Sequence, residues 1–423
     1  MEKLANASDF IHHESLKSIL EEADKIKKRP DWKVSDIVDG DGHQYVDLVQ
    51  EGGGVLGIAL VGYTWMLEHL GIRFFHLAGT SAGAINTLLM AGLGPIDKAK
   101  SELLLTVLAQ KNLFDIVDGD PKLKKITQQL IEGTPFKKMI FKLLFNIRKI
   151  KKALFFDFGI NPGMDFEKWI DQILSEGPAQ IYNMEQLIRL RSRDHFPENL
   201  IHRISEKPIT DEKAKIALIT ADITTRTKVI FPDMAHLYFS DHMNIRPSKL
   251  VRASMSVPLF FMPFTAEKMP DAGKSHHPEW IKWAVYSGKV PDRASFVDGG
   301  LISNFPIDVF HVPSGNVPRK PTLGVRLSTF RESYDDIDDL SSYLGGLITT
   351  MRHDSDNEFL RKNPDFNRLI SYINADKLVN WLNFNLHDED KLLLFKNGAL
   401  AALEFIKQFD WNGYKELRKK SIT

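Results

Sequence analysis

The chain has 423 residues, with 55 Lys+Arg against 55 Asp+Glu, so net charge alone gives no pull toward nucleic acid or a membrane and charged partners must be read from local patches. It contains no cysteine, which excludes a disulfide framework, a thiolate zinc site and a cysteine nucleophile, and fits a reducing compartment. A hydrophobic content of 43% is enough for a large folded core.

Taken from the N-terminus, residues 1–30 place Leu16, Ile19, Leu20, Ala23 and Ile26 at helical spacing and show no apolar run of signal-peptide length. Residues 45–50 read as a short strand running into glycines, 56–70 as a helix stopped by Gly71, 73–78 as a second strand and 84–91 as a second helix. Strand, helix, strand, helix in this rhythm predicts a parallel sheet covered on both faces. The uncharged stretch 77–96 is long enough to raise the question of a membrane span. Gly79, Gly83, Asn86, Gly92, Gly94 and Pro95 suit a buried strand-turn-helix better. The expected location is therefore cytoplasmic or peripheral to a membrane.

Residues 97–210 read as mostly helical and charged, and strand patterns return at 215–222, 228–231, 295–297 and 322–327. This predicts a helical extension at 1–35, an α/β domain at 36–410 with 97–210 as an inserted helical cap, and a tail at 411–423. The hexamer Asp-Ile-Val-Asp-Gly-Asp occurs at 36–41 and 115–120 without the other ligands of a calcium loop, and reads as a recurring turn. His276 and His277 are adjacent, with diverging side chains and no third ligand in view, so no metal or cofactor is expected.

Gly79-Thr80-Ser81-Ala82-Gly83 fits G-x-S-x-G between an apolar strand and a helix. In that context the glycines permit a sharp turn that exposes the serine at a helix N-terminus. Gly52, Gly53, Gly54 and Gly57 follow the first strand and open the first helix. Consecutive glycines leave backbone N–H groups free to face an oxyanion. The same glycines fit a dinucleotide turn, but the acid expected at the end of the second strand is absent. Ser81 needs a base. Asp298, followed by Gly299 and Gly300, ends a short strand, while His311, His353 and His387 lie further along. Spacing leaves a Ser–Asp dyad and a triad both open. Asp222, after the strand at 215–222, is a second acid or the start of a turn. Residues 259–264 are apolar enough to line an acyl pocket or to be core.

Glu51 to Ile58, Gly79 to Gly83, Arg252 to Pro258 and Val297 to Pro306, in this order, resemble the patatin-like phospholipases of bacterial type. The resemblance implies a three-layer α/β/α fold with Ser81 as nucleophile and Asp298 as base. It implies an oxyanion hole at Gly52, Gly53 and Gly54, scaffold glycines at 57, 79, 83, 299 and 300, and lipid acyl-ester hydrolysis through an acyl-enzyme. An acyltransferase using the same dyad and a non-catalytic binding or storage member are the alternatives. The family's usual Arg or Lys in the glycine turn is Leu56 here. Residues 136–156 carry Phe136, Met139, Ile140, Leu143, Leu144, Ile147 and Ile150 on one helical face, with Lys137, Lys138, Lys142, Arg148, Lys149, Lys151 and Lys152 mostly off it. Such a segment suits peripheral contact with a lipid surface, and equally a cap on the core. The expected partner is the lipid substrate, with no nucleic acid.

Overall fold

The structure is a computed structural model that describes residues 6–131, 146–313, 316–327, 336–337, 350, 357–375 and 377–420. His353 and residues 136–145 of the basic segment lie outside this set.

The apolar runs near the N-terminus form β1 (Gln44–Gln50) and β2 (Ile72–Thr80), joined by α1 (Gly57–His69). Every residue from Ile58 to Glu68 is buried, so α1 has no solvent face. Gly71, at φ +81°, makes the reversal into β2 that a residue with a Cβ resists. Next come α2 (Ala82–Gly92), α3 (Ile147–Phe155), β3 (Gly159–Asn161) and α4 (Met164–Glu176). They are followed by β4 (Ile216–Asp222), β5 (Thr227–Phe231), α5 (Pro247–Ser254) and β6 (Leu259–Phe261). Further along come β7 (Phe264–Glu267), β8 (Arg293–Asp298), β9 (Thr322–Arg326), β10 (Ile370–Tyr372), α6 (Asp388–Gln408) and α7 (Trp411–Lys420).

Strands β10, β9, β1, β2 and β4 lie side by side and parallel. Both β5 and β8 pair antiparallel with β4, and β7 pairs antiparallel with β8. Alternation along the strands separates two faces. Leu48, Leu77 and Leu218 pack into one cluster with Leu60, Leu89, Ile170 and Leu403 of the helices. Their neighbours Val49, Ala78 and Ala217 face the other way, against Phe305, Phe366, Trp411 and Tyr414. The fold is thus a mostly parallel sheet between two layers, as the rhythm of the sequence predicts.

The first cluster reaches beyond the sheet helices. It takes in Phe10, Leu16, Ile19, Ala23 and Ile26 from the N-terminal segment and Leu104 from the helix Ser101–Gln110. The single helix expected over 1–30 is divided into Ala7–Ile11, a short 3-10 turn at Glu14–Leu16 and Lys17–Lys27. The His13 ring caps that turn by accepting the Ser15 N–H, so the break is stabilised locally. On the sheet side, a Cβ on Gly62 would sit 2.0 Å from the Phe395 carbonyl, and one on Gly398 would sit 1.9 Å from that of Ala59. Helices α1 and α6 therefore cross in backbone contact.

Candidate active site

The register of β4 brings the two chemical residues together. Thr80, the last residue of β2, is opposite Ile219. Thr220, one position on, is opposite Asp298, the last residue of β8. The other edge of β4 at these positions is occupied by Ile230 and Val229 of β5. So β2 and β8 run toward each other along the same edge of β4 and end there, one delivering Ser81 and the other Asp298. Gly299 makes the junction tight: a Cβ on it would lie 2.2 Å from the Ile219 carbonyl oxygen and 3.0 Å from Cγ2 of Thr80.

Ser81 has φ 53° and ψ −118°, a conformation that costs a residue with a Cβ on the order of 1–3 kcal/mol. It caps α2, with the helix N-terminus beside its hydroxyl. The turn closes only because its flanks are bare. A Cβ on Gly79 would approach Gly83 to 2.3 Å, and one on Gly83 would approach the Gln50 carbonyl oxygen to 2.3 Å. The Ser81 N–H donates to Ser254 Oγ at 3.0 Å, and Ser254 in turn donates to the Ile219 carbonyl.

Asp298 is buried, and its Oδ1 accepts the Gly300 N–H at 2.7 Å. Its own N–H donates to the Ser256 carbonyl at 2.8 Å. Ser256 is held by Arg252, whose Nη1 donates to Ser256 Oγ while Nη2 donates to the carbonyls of Pro162 and Met262. Burial brings the Arg252 pKa down to about 10, so the guanidinium stays charged at neutral pH. The resemblance marked residues 252–258 without assigning them roles. In the structure they tie the serine turn and the aspartate to one element, α5.

The glycine turn after β1 stands against Ser81. Gly54, at φ +55°, adopts a conformation that favours glycine. Among the described residues no acceptor meets the N–H of Gly53 or Gly54. Gly52, expected with them in the oxyanion hole, is placed otherwise. Its N–H donates to the Asn304 carbonyl at 3.0 Å, and a Cβ on it would lie 3.1 Å from that of Ser81. It is a spacer, not a donor. Gly57 packs close to Ala82, where its own Cβ would be 3.2 Å away.

Sequence reasoning missed what braces this turn. Glu51 Oε1 accepts from Nε and Nη2 of Arg326 at 3.1 and 3.0 Å, and its Oε2 accepts the Leu327 N–H at 2.7 Å. Both side chains are buried, and the pair ties the end of β1 to the end of β9. Asn304 Nδ2 donates to the Gly52 carbonyl, and the Trp381 carbonyl accepts the Val55 N–H. Leu56, which stands where the family usually has Arg or Lys, is buried in the main core.

Beside Ser81 is an apolar pocket. Val55, Ile58, Ile85, Leu104, Phe166, Trp169, Met255, Phe261, Trp381 and Phe384 line it, with Asn86 the polar exception besides Ser81. Its predominantly apolar lining with few polar groups suits a small-molecule or single-chain site. Within residues 259–264, Phe261 lines the pocket, while Phe260 stacks on Phe384. Neither His311 nor His387 borders it: His311 packs on Phe359 and Phe366, and His387 caps α6. Asp222 starts a turn, its carboxylate accepting from Thr224, Thr225 and Tyr238.

A mostly parallel α/β sheet with a strained serine, a carboxylate and an apolar pocket at the carboxyl ends of its strands defines a protein of the lipid-ester hydrolase class. The family model for patatin-like phospholipases matches residues 48–311, and the chain belongs to that family. It is 26% identical over 369 residues to the uncharacterized protein YqhO of Bacillus subtilis (strain 168), covering 87% of this chain and all of that one. Among solved structures it is similar to VipD of Legionella pneumophila, with 15% identity, a TM-score of 0.40, and 92% of this chain and 73% of VipD covered. It is also similar to ExoU of Pseudomonas aeruginosa, solved with SpcU, with 16% identity, a TM-score of 0.35, and 86% and 52% covered. Among the described residues, no helix is long and apolar enough to cross a membrane.

Proposed function

We propose that the protein hydrolyses acyl esters of phospholipids or lysophospholipids through an acyl-enzyme on Ser81, with Asp298 as the base. The observation that supports this reading is the meeting of β2 and β8 on one edge of β4, where the strand ends carrying the serine turn and the carboxylate are neighbours and the apolar pocket lies beside Ser81. Asp298 takes the Ser81 hydroxyl proton as Oγ attacks the ester carbonyl. The N–H groups of Gly53 and Gly54 meet the charge on the tetrahedral oxygen. Collapse of the intermediate breaks the ester C–O bond, and the leaving alcohol takes the proton from Asp298. Water then gives a proton to Asp298 and attacks the acyl-enzyme, and the second collapse returns the proton to Ser81 Oγ and releases the fatty acid. No step requires a metal, so hydrolysis by the purified protein is expected to survive chelation.

The test is lipid mass spectrometry before and after incubation with the protein, set against Ser81→Ala. Fatty acid and lysolipid, or fatty acid and the deacylated headgroup, appear only with the parent. Transfer of the acyl group to an added alcohol in place of water makes the protein a transferase, and no turnover of any lipid makes it a binding protein.

A further inference from the structure

Three large aromatic side chains stand in solvent within four positions: Phe155 is 70% exposed, Phe156 76% and Phe158 60%. Leu259, 47% exposed, joins them across the small parallel ladder, where it is paired with Gly159. Contiguous exposed apolar groups of this size mark a contact surface more often than an accident of packing. Two of the four are also strained. Phe158 has φ 55° and Leu259 φ 67°, conformations that bulky residues rarely adopt. The fold thus holds these two side chains outward at a cost in backbone energy.

The charge beside the patch selects its partner. Helix α3 leads directly into Phe155, and its Arg148, Lys149, Lys151 and Lys152 are exposed. Lys149 pairs with Asp120, and Lys152 lies 3.9 Å from Asp157. Arg148 and Lys151 have no acidic partner among the described residues. Buried Ala153 anchors the helix on its other side. Aromatic side chains flanked by unpaired cations suit a bilayer carrying anionic headgroups, where rings enter the interface and cations meet phosphate and carboxylate.

The patch is also continuous with the pocket. From Leu259, β6 runs inward through Phe260, which stacks on Phe384 with ring centroids 5.2 Å apart, to Phe261. Phe261 and Phe384 both line the cavity beside Ser81. An acyl chain leaving a bilayer at Leu259 meets apolar side chains all the way to the serine.

We propose that Phe155, Phe156, Phe158 and Leu259, with Arg148 and Lys151, form the surface by which the protein seats on an anionic lipid bilayer, delivering acyl chains along β6. The proposal rests on the hydrolase reading only for what is delivered. It is tested by sedimenting the full chain, carrying Ser81→Ala so that the lipid stays intact, with vesicles of phosphatidylcholine alone and of phosphatidylcholine and phosphatidylserine in equal parts. Binding is expected to be tighter to the mixed vesicles and to weaken with salt. The double variant Arg148→Ala with Lys151→Ala is expected to lose about tenfold or more in affinity for mixed vesicles, and less for the neutral ones. The triple variant Phe155→Ser, Phe156→Ser and Phe158→Ser is expected to lose binding to both. With Ser81 restored, both variants are expected to hydrolyse a soluble short-chain ester at the parent rate but vesicle lipid more slowly. Parent-like vesicle binding by both variants overturns the proposal, as does failure of the parent to bind either vesicle. If the parent seats on vesicles through these residues yet cleaves neither substrate, the seating surface stands and the hydrolase reading falls.

Discussion

The two ends of the parallel sheet are built from the same strands in opposite styles. At the carboxyl ends of β1 and β2 the proposed chemistry uses backbone donors, one hydroxyl and one carboxylate, with an apolar pocket beside the hydroxyl. One buried ion pair, Glu51 with Arg326, stands behind the donors as a strut. Toward the other end the same strands carry a network of charge. Asp47 of β1 accepts the His76 N–H and lies 3.8 Å from Lys320 Nζ. Lys320 donates to Glu212, which also faces His76 and Arg319. Arg191 closes the group by donating to the carbonyls of Phe75 and Ala214. Asp47, His76, Glu212, Arg319 and Lys320 pair with one another, and none of these residues lines the pocket beside Ser81, so their role is to hold the strands together. At the proposed catalytic end Asp298 is kept buried, and further unpaired charge would attract water and counterions into a pocket proposed to take an acyl chain. On the proposed reading, function and stability lie at opposite ends of one scaffold.

That contrast is sharpest at the serine. Ser81→Ala or Asp298→Asn is expected to lower kcat by about 10³-fold or more while leaving thermal stability near that of the parent. Because the two act as a unit, the double variant should be little worse than either single. A comparable loss in His311→Ala or His387→Ala, with activity retained in Asp298→Asn, would replace the dyad with a triad.

Next in size is the glycine turn. Gly53→Ala or Gly54→Ala is expected to reduce kcat by about 10²–10³-fold with a smaller change in KM, because the donors act on the oxyanion and not on the bound ester. At Gly54 the added Cβ would also meet the Trp381 carbonyl at 2.2 Å, so stability should fall there as well. The strut tests how far the catalytic end depends on charge. Arg326→Met should lower kcat more than it raises KM, and Glu51→Gln, which keeps one acceptor for the Leu327 N–H, should do so less. Equal effects on kcat and stability across both variants would reduce the pair to a structural role. Leu56→Arg, which puts back the family's usual residue, buries a cation in the main core, so a loss of stability is expected with no gain in rate.

The opposite end should behave in reverse. Lys320→Met leaves Asp47 buried without its ammonium and is expected to cost about 3 kcal/mol of stability, read by denaturant unfolding, with kcat unchanged. A pH series refines this. Burial alone would raise the Glu212 pKa, but His76 and Lys320 outweigh it and hold the carboxyl well below the usual range. A depressed pKa contributes stability above the unfolded-state value, 4.5, and that contribution is lost as pH falls through the folded one. The stability gap between the parent and Glu212→Gln should therefore be full at neutral pH and shrink below about pH 4.5.

The parts of this arrangement that were legible in the sequence are local. Strands of half a dozen apolar residues, a helix stopped by Gly71, and glycines spaced around Ser81 and before α1 each state their geometry within a short window. Beyond the divided N-terminal helix, the expected ends of the sheet strands and of the two helices beside them fell within a residue or two for the same reason. What the sequence hid depends on pairs far apart in the chain. Glu51 and Arg326 are 275 positions apart, and only the pairing of β1 with β9 brings them together. Asn304 accepts the Gly52 N–H on its carbonyl and donates Nδ2 to the Gly52 carbonyl from 252 positions away, which no glycine count reveals. Residues 136–156 read as one amphipathic segment, and the link of the exposed phenylalanines around its end to Leu259 comes only from the β3–β6 ladder.

The central claim is that Ser81 is acylated with Asp298 as its base, and the most direct measurement is rapid-quench mass spectrometry with an activated acyl ester. The account predicts one acyl adduct in the parent, on the peptide containing Ser81, formed in a burst. The adduct should be absent in Ser81→Ala and strongly slowed in Asp298→Asn, with EDTA making no difference. An adduct on another residue, or a burst of parent rate in Asp298→Asn, would contradict it.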